Sequence, residues 1–386
     1  MKSSIKGTAV AVAMVATALV GAGSAGADII NPTVEVDTAK VAQTLHTKLG
    51  GGNTVGYAFA ITEDGQLAAT GAGGKARIDK NIAFTANTRM DIASATKNIS
   101  AAALLKLVEK RGVSLDTKLW GYLPLDMRST MHESWKNLTI KHILGHRSGI
   151  EQMLAGLSDA DRAKTSNLYE GIKFAMTKPI VVDSPWSYKN MNYAVARLII
   201  PKLWDLTEPT RGVPDSINST NSGPWTLAYI NERLFAPAGI APTTCVANAD
   251  TAAHAYDIAD TSKGGVLVQL DGTDFEACGG HRGLHLSAVD MVRWQAHLRH
   301  GTVVSSNVRQ QMDSFRLGWY ETMSNTGSWA GSYTHGGDLF LGGDREQHSC
   351  QGKFPGNVEV TVLVNSKVLG SYQCSILLDA VKTATS

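Results

Sequence analysis

The pattern of hydrophobic and polar positions predicts strands near both ends of the chain. Residues 56–62 and 66–70 are largely apolar and flank a turn-forming run at residues 63–65, so they predict a β-hairpin. Residues 357–365 alternate in polarity and are rich in β-branched side chains, which indicates a strand. The strand signal is therefore concentrated at the two ends.

Helical patterns lie between and after these strands. Residues 101–110 contain strong helix formers, and Gly112 stands where that helix would end. Ser287 can cap a helix that continues to residue 297, and residues 375–382 predict a closing helix. Residues 119–280 are rich in helical patterns that loops interrupt.

These elements together predict an α/β (α+β) fold. One antiparallel sheet would be built from both chain ends and flanked by helices, with a mainly helical lobe inserted between them. The sheet lobe would comprise residues 37–118 and 281–386, and the helical lobe residues 119–280. Residues 28–36 would form a short N-terminal approach segment.

The first residues predict export. Lys2 and Lys6 precede an apolar stretch at residues 9–20, and small residues at 25–27 supply a cleavage site. Residues 1–27 therefore indicate a secretory signal peptide, too short for a membrane span. We expect a secreted product in the extracellular or cell-wall space, without a stable membrane span.

Composition excludes some classes of partner. The 386 residues are 43% hydrophobic and 18% charged, as in an ordinary globular enzyme, and the net charge of +2 includes no basic block. We therefore expect no nucleic acid partner. The chain contains Cys245, Cys278, Cys350 and Cys374, which can form disulfides outside the cytosol in three possible pairings. Proximity along the chain slightly favours Cys245 with Cys278 and Cys350 with Cys374.

The chemistry begins with Ser94, which stands three residues before Lys97 near a predicted helix N-terminus. At that spacing a hydroxyl and an amine share one helical face. A lysine held neutral can take the serine proton, and unpaired helix N–H groups can stabilise an oxyanion. Ser3 and Lys6 have the same spacing, so a helix-capping serine followed by a solvated lysine remains the alternative.

Two further segments could supply partners. Tyr188 offers a phenol for proton relay, and Asn190 offers an amide for the substrate. Residues 216–218 and 229–231 have similar sequences and are alternative candidates. His335 and Gly337 would line a strand that orients the substrate, with His335 as a donor or a positive charge. Residues 263–265 and 281–283 have a sequence similar to that of residues 335–337, but they lie among loop glycines.

The histidine spacing does not indicate a metal site. His142 and His146 are four residues apart, as are His281 and His285, but neither pair has the glutamate of a zinc-protease motif. We therefore predict no metal and no cofactor.

The ordered motifs resemble those of the serine β-lactamase and penicillin-recognising peptidase superfamily, in particular its D-alanyl-D-alanine carboxypeptidase, class C β-lactamase and related esterase branch. The resemblance covers about residues 56–380. It implies a β-lactamase/DD-peptidase-like fold, with Ser94 as the acylated nucleophile, Lys97 as its base or proton partner and Tyr188 as the proton relay. Asn190, His335 and Gly337 would bind the substrate, and the backbone N–H groups of Ser94 and Asp338 would form the oxyanion hole.

The sequence departs from the family pattern in the third motif. It is led by histidine rather than by the usual Lys-Thr-Gly, and Gly336 and Asp338 stand where hydroxyl residues often grip a substrate carboxylate. An Asp338 side chain facing the cleft would repel a carboxylate. This favours a D-aminopeptide, amide or ester over a penicillin, and no candidate glutamate for class A deacylation is evident.

We therefore predict a secreted serine hydrolase that cleaves an amide, peptide or ester bond through an acyl-enzyme on Ser94. Its partners would be small substrates, including peptidoglycan stem peptides, and the protein would be a monomer. The alternatives are a non-catalytic cell-wall or penicillin-binding sensor, a specialised carboxylesterase or D-aminopeptidase, and a metallohydrolase.

Overall fold

A computed structural model describes residues 34–322 and 331–385, so the predicted signal peptide lies outside the described residues. The described strands are β1 (Gly56–Glu63), β2 (Gln66–Arg77), β3 (Ile82–Ala83), β4 (Met90–Asp91), β5 (His254–Ala255), β6 (Val266–Leu267), β7 (His285–Leu286), β8 (Glu321–Thr322), β9 (Tyr333–Leu341), β10 (Arg345–Phe354) and β11 (Val358–Val364). Seven of them form one antiparallel sheet of order β3-β2-β1-β11-β10-β9-β8, and β4 with β7 and β5 with β6 form two short pairs.

Helices precede, interrupt and follow these strands. They are α1 (Thr38–Leu49), α2 (Thr96–Lys110), α3 (Leu125–Arg128), α4 (Ile140–Leu144), α5 (Ile150–Ala155), α6 (Asp159–Arg162), α7 (Tyr169–Met176), α8 (Asn190–Thr207), α9 (Ser222–Ile230), α10 (Ala288–His300), α11 (Ser306–Ser314) and α12 (Gln373–Thr383). The predicted fold class, with a sheet built from both chain ends and flanked by helices, is confirmed.

Side-chain size along β1 decides which helices cover each face of the sheet. Tyr57, Phe59 and Ile61 point to the face packed by α1 and α12, together with the valines of β11. Ala58 and Ala60 point to the opposite face, where α10 packs and where the larger core of the helical region begins. The alternation of large and small residues therefore separates two apolar layers.

The predicted hairpin is present, but β2 continues to Arg77, past the predicted end at residue 70. The extension carries several glycines, which hide a strand from propensity-based prediction. They are needed because aromatic rings of β1 lie over them: a Cβ at Gly71 would be 2.2 Å from Phe59 Cζ.

Helix α8 is the longest described helix and contains a proline. Proline normally ends a helix at the residue before it, yet α8 passes through Pro201 and ends at Thr207. Residues on both sides of the proline are fully buried, among them Ile200 and Leu203. Tertiary packing therefore overrides the local preference.

Two disulfides form, Cys245–Cys278 and Cys350–Cys374, which is the pairing that proximity favours. The second bond joins β10 to the first turn of α12. Within residues 34–322 and 331–385, no helix is long and apolar enough to cross a membrane.

Candidate active site

A strained turn presents Ser94. Residues Ala93–Ala95 form one 3₁₀ turn that leads into α2, and Ala93 has a φ of 50°. Such a left-handed conformation costs a non-glycine residue about 1–3 kcal/mol, so surrounding contacts must hold it. Asp91 does so by accepting the N–H of Ala93 at 2.7 Å and that of Gly283 at 3.3 Å.

Lys97 lies beneath this turn and is 0% exposed. Its Nζ donates to Ser94 Oγ at 2.9 Å and to the carbonyl oxygen of His281 at 3.0 Å. In the described part of the chain no carboxylate forms an ion pair with Lys97, and burial lowers its pKa well below the ordinary value. A neutral amine next to a serine hydroxyl can accept its proton.

Tyr188 covers the same pair from the other side. Its hydroxyl is hydrogen-bonded to Ser94, and its ring centroid lies 5.0 Å from Lys97 Nζ. Burial raises the pKa of Tyr188, and the bond with Ser94 offsets only part of that rise. Tyr188 therefore remains a phenol at neutral pH, with a proton available to donate.

Aromatic packing fixes the Tyr188 ring. Its centroid lies 4.6 Å from that of His146 and 5.2 Å from that of Tyr320. His146 Nδ1 accepts the N–H of Lys189 at 3.2 Å and also contacts the Asn192 amide at 3.0 Å. Burial and the nearby Lys97 lower the pKa of His146 far below its ordinary value, so this histidine is a neutral support for the tyrosine.

His335 lies on β9 beside the same tyrosine, with 6.3 Å between ring centroids. Burial, reinforced by Lys97, lowers its pKa to about 3. Its Nδ1 lies 2.7 Å from the carbonyl oxygen of Gly336, which can only accept, so Nδ1 carries the proton and Nε2 is an acceptor. Of the two roles expected for His335, a donor or a positive charge, the lowered pKa disfavours the positive charge at neutral pH.

Gly337 allows β9 to approach the nucleophile turn. A Cβ at this position would be 2.4 Å from the Ile92 carbonyl oxygen and 2.9 Å from Ala93 Cβ. Ser349 on the neighbouring strand donates to the same Ile92 oxygen at 2.6 Å. The glycine is therefore required by close packing of strand against turn.

The Asp338 side chain points to the opposite face of β9. There its carboxylate accepts hydrogen bonds from His348 at 2.7 Å, Gln373 at 2.8 Å and Tyr372 at 3.2 Å. Burial would raise the pKa of Asp338, but the bonds from His348 and Gln373 outweigh it and hold that pKa below its ordinary value. The expected repulsion of a substrate carboxylate does not follow, because this charge is bound on the α12 side.

Asn190 begins α8 and contributes to the wall of a cavity of about 300 Å³. Its Oδ1 is buried and has no hydrogen-bond partner among the described residues, so it can accept an N–H from a ligand. The cavity is lined by Ala93, Ser94, Asn167, Leu168, Asn190, Leu270, Asp274, Ala277, His281, Arg282, Asp338 and Leu339. A larger cavity of about 530 Å³ beside Trp186 does not include Ser94.

The structure thus brings together the hydroxyl, amine, phenol, amide and imidazole of the three predicted motif segments. The competing Tyr229 instead packs against Trp204, with centroids 5.1 Å apart. His281 belongs to the site through its backbone carbonyl, which sequence analysis missed because backbone roles leave no residue signature. The preceding glycines are the one sequence feature that points to this segment. In the structure the carbonyl oxygens of Gly279 and Gly280 both accept from the Ser100 hydroxyl of α2, so the segment lies directly against that helix.

The histidine pairs do not form a metal centre in residues 34–322 and 331–385, where no group of three or more potential ligands is positioned to hold an ion.

Residues 41–370 match the family model described as Beta-lactamase. The chain belongs to the beta-lactamase family. Members of this family are generally serine hydrolases, which agrees with the hydroxyl–amine pair at the centre of the site.

Curated relatives of this beta-lactamase family chain include Protein flp of Staphylococcus aureus (strain COL), 26% identical over 156 residues. That match covers 39% of this chain and 30% of the relative, so it spans less than a third of the relative's length.

Solved structures match over more of the chain. The octameric penicillin-binding protein homologue from Pyrococcus abyssi is 21% identical, with a TM-score of 0.64 over 90% of this chain and 77% of its own. EstCE1, a hydrolase with promiscuous acyltransferase activity, is 16% identical, with a TM-score of 0.66 over 89% and 98%. A D-stereospecific amidohydrolase from Streptomyces sp. is 18% identical, with a TM-score of 0.60 over 91% and 100%. These TM-scores, at identities below 25%, show a shared fold alone.

We predict that Gly337→Ala lowers kcat/KM on a chromogenic ester by about 100-fold. The added Cβ must push β9 away from the turn, and a displacement of about 1 Å between reacting groups can lower the rate by about that factor. Gly342→Ala is the matched control, since a Cβ there would meet no atom within 4 Å. Equal activity of the two variants would show that close approach of β9 is not required.

Proposed function

We propose that this protein is a secreted serine hydrolase that cleaves an amide, peptide or ester bond through an acyl-enzyme on Ser94. The observation that carries the proposal is the Lys97 amine, fully buried and 2.9 Å from Ser94 Oγ, with a carbonyl but no carboxylate as its other partner in the described residues. Export rests on the N-terminal signal pattern and agrees with the two disulfides.

In the first step neutral Lys97 takes the proton of the Ser94 hydroxyl while Oγ attacks the substrate carbonyl carbon. The new carbon–oxygen bond places negative charge on the carbonyl oxygen. The backbone N–H groups of Ser94 and Asp338 would stabilise that charge, as donors aimed at an oxyanion do in acyl transfer.

Tyr188 would then pass its proton to the leaving amine or alcohol and recover a proton from Lys97, since its hydroxyl is hydrogen-bonded to Ser94 and its ring lies over Lys97. The bond to the leaving group breaks and the acyl group stays on Oγ. Water next attacks the ester carbon, loses its proton to the same Lys97–Tyr188 pair, and releases the acid with Ser94 restored.

Besides Asp338, the charged side chains of the cavity wall are Asp274 and Arg282, and Arg282 supports a substrate that carries a carboxylate. His335 is neutral and the Asp338 charge is bound on the other face of β9. Arg282 lines the cavity and forms no ion pair with any described carboxylate. Its guanidinium would pair with a substrate carboxylate in a charge-assisted bond.

Asn190 would accept the N–H of a substrate amide through its unpaired Oδ1. Acyl-D-amino-acid peptides, including peptidoglycan stem peptides, offer both groups, which supports an activity like that of D-alanyl-D-alanine carboxypeptidases. The D-stereospecific amidohydrolase among the structural neighbours supports amides as a wider substrate class, and the hydrolase with promiscuous acyltransferase activity agrees with an acyl-enzyme. We further propose that the protein acts as a monomer without metal or cofactor.

A non-catalytic cell-wall or penicillin-binding sensor is the second candidate. A sensor would need the cavity but not a hydrogen-bonded set of hydroxyl, amine and phenol, and this chain has the complete set. The enzyme is therefore favoured.

We predict that a fluorophosphonate or a fluorescent penicillin labels the mature protein at Ser94, as mapped by mass spectrometry of the adduct, and that Ser94→Ala abolishes both labelling and hydrolysis. Ser129→Ala, which removes an exposed hydroxyl on the helical lobe, should change neither. Absence of any adduct on folded protein would favour the sensor. Hydrolysis that survives Ser94→Ala but is lost with a chelator would favour a metallohydrolase.

We predict that Arg282→Gln lowers kcat/KM for an acyl-D-alanyl-D-alanine substrate by about 10–100-fold, because a hydrogen bond to a charged group contributes about 1.5–3 kcal/mol. The same peptide with an amidated C-terminus should lose less than about 3-fold. Arg147→Gln is the control variant, since Arg147 lines the other cavity. An equal loss on both peptides would contradict carboxylate recognition by Arg282.

A further inference from the structure

The carboxylate of Asp338 links three elements: β9, β10 and the start of α12. Asp338 lies on β9, and its partners are His348 on β10 and the side chains of Tyr372 and Gln373 at the start of α12. Gln373 Nε2 and His348 Nδ1 share the same Oδ1, and the Tyr372 hydroxyl donates to Oδ2. The Asp338 side chain is only 30% exposed, and its three hydrogen bonds offset the cost of burying the rest of the charge.

The backbone next to Asp338 is packed against the same helix start. A Cβ at Gly336 would be 2.7 Å from the Tyr372 hydroxyl and 2.9 Å from Cys374 Sγ. Cys374 is in turn bonded to Cys350, the register partner of Gly336 on β10. Covalent and hydrogen bonds therefore fix the start of α12 directly behind residues 336–338.

The front of this short segment is fixed as well. Gly337 lies against Ile92 and Ala93, one residue before the nucleophile, and Ser349 bridges β10 to the Ile92 carbonyl. Successive residues of a strand face opposite sides, so residues 336 and 338 are held from behind while 337 is pressed onto the turn. The backbone at 337–338 has contacts on both faces that resist movement.

We propose that the Asp338 side chain is a positioning residue, which holds the backbone N–H of Asp338 at the distance from Ser94 that oxyanion stabilisation requires. The proposal rests on the proposed function, because the oxyanion forms only during acyl transfer. It assigns this carboxylate to the back of the strand, as an acceptor for α12 and β10, and assigns it no contact with substrate.

The expected signature follows from this placement. If an oxyanion donor shifts by a few tenths of an ångström, it stabilises the transition state less, while binding of the uncharged ground-state carbonyl changes little. Loss of the Asp338 carboxylate should therefore lower kcat and spare KM. A boronic acid that forms a tetrahedral adduct with Ser94 should lose affinity by about the same factor as kcat/KM.

The test compares Asp338→Ala and Asp338→Asn with wild type, with kcat expressed per Ser94 that fluorophosphonate labels so that misfolded protein is not counted. We expect kcat to fall about 10–100-fold in Asp338→Ala and less in Asp338→Asn, whose amide keeps an acceptor oxygen, with KM within about 3-fold in both. Asp344→Asn, an exposed carboxylate in the β9–β10 turn, is the matched control and should be unchanged.

Tyr372→Phe provides a milder variant, should Asp338→Ala fail to fold, because it removes one donor to the carboxylate and keeps the ring. We expect a smaller loss in kcat with the same unchanged KM. Unchanged kcat in both Asp338 variants, or losses confined to KM, would overturn the proposal. Full activity of Ser94→Ala would instead overturn the proposed function itself, so the two failures are distinguishable.

Discussion

The burial of Lys97 without a carboxylate partner is the constraint on which the site depends. An ammonium ion in that position would lose its hydration and gain a carbonyl, a tyrosine ring and a serine hydroxyl in return. The balance favours the neutral amine. A neutral amine 2.9 Å from a hydroxyl is a base already in place, so the same burial that destabilises the charge creates the reactivity.

The surrounding structure maintains that environment at some cost. Ala93 is held in a strained conformation by Asp91, and the Tyr188 ring is fixed between His146 and Tyr320. Both His146 and His335 are buried and neutral, so neither adds a positive charge that water or counter-ions would have to screen. The strained Ala93 precedes Ser94 directly, and the unpaired Oδ1 of Asn190 lies on the same cavity, as expected where function outweighs local stability.

Local patterns in the sequence predicted the elements that carry strong local signals. The β1–β2 turn, the helix after Ser94 and the alternating strand β11 all follow from periodicity and turn residues. Strand β10 has no such signal, because its polar side chains are buried between neighbours that lie far away in sequence. The same limit applies to the His281 carbonyl and to the direction of the Asp338 side chain, since both depend on long-range packing. The motif order nevertheless predicted which side chains meet in one site.

The most direct test of this account is the protonation state of Lys97 in the folded protein. Lysine labelled with ¹³C and ¹⁵N, with the Lys97 signal assigned by its loss in Lys97→Arg, would be titrated by NMR. We predict that the Lys97 amine is neutral at pH 7, while exposed lysines titrate near the ordinary pKa of about 10.4. A Lys97 signal that remains that of an ammonium ion up to about pH 10 would contradict it.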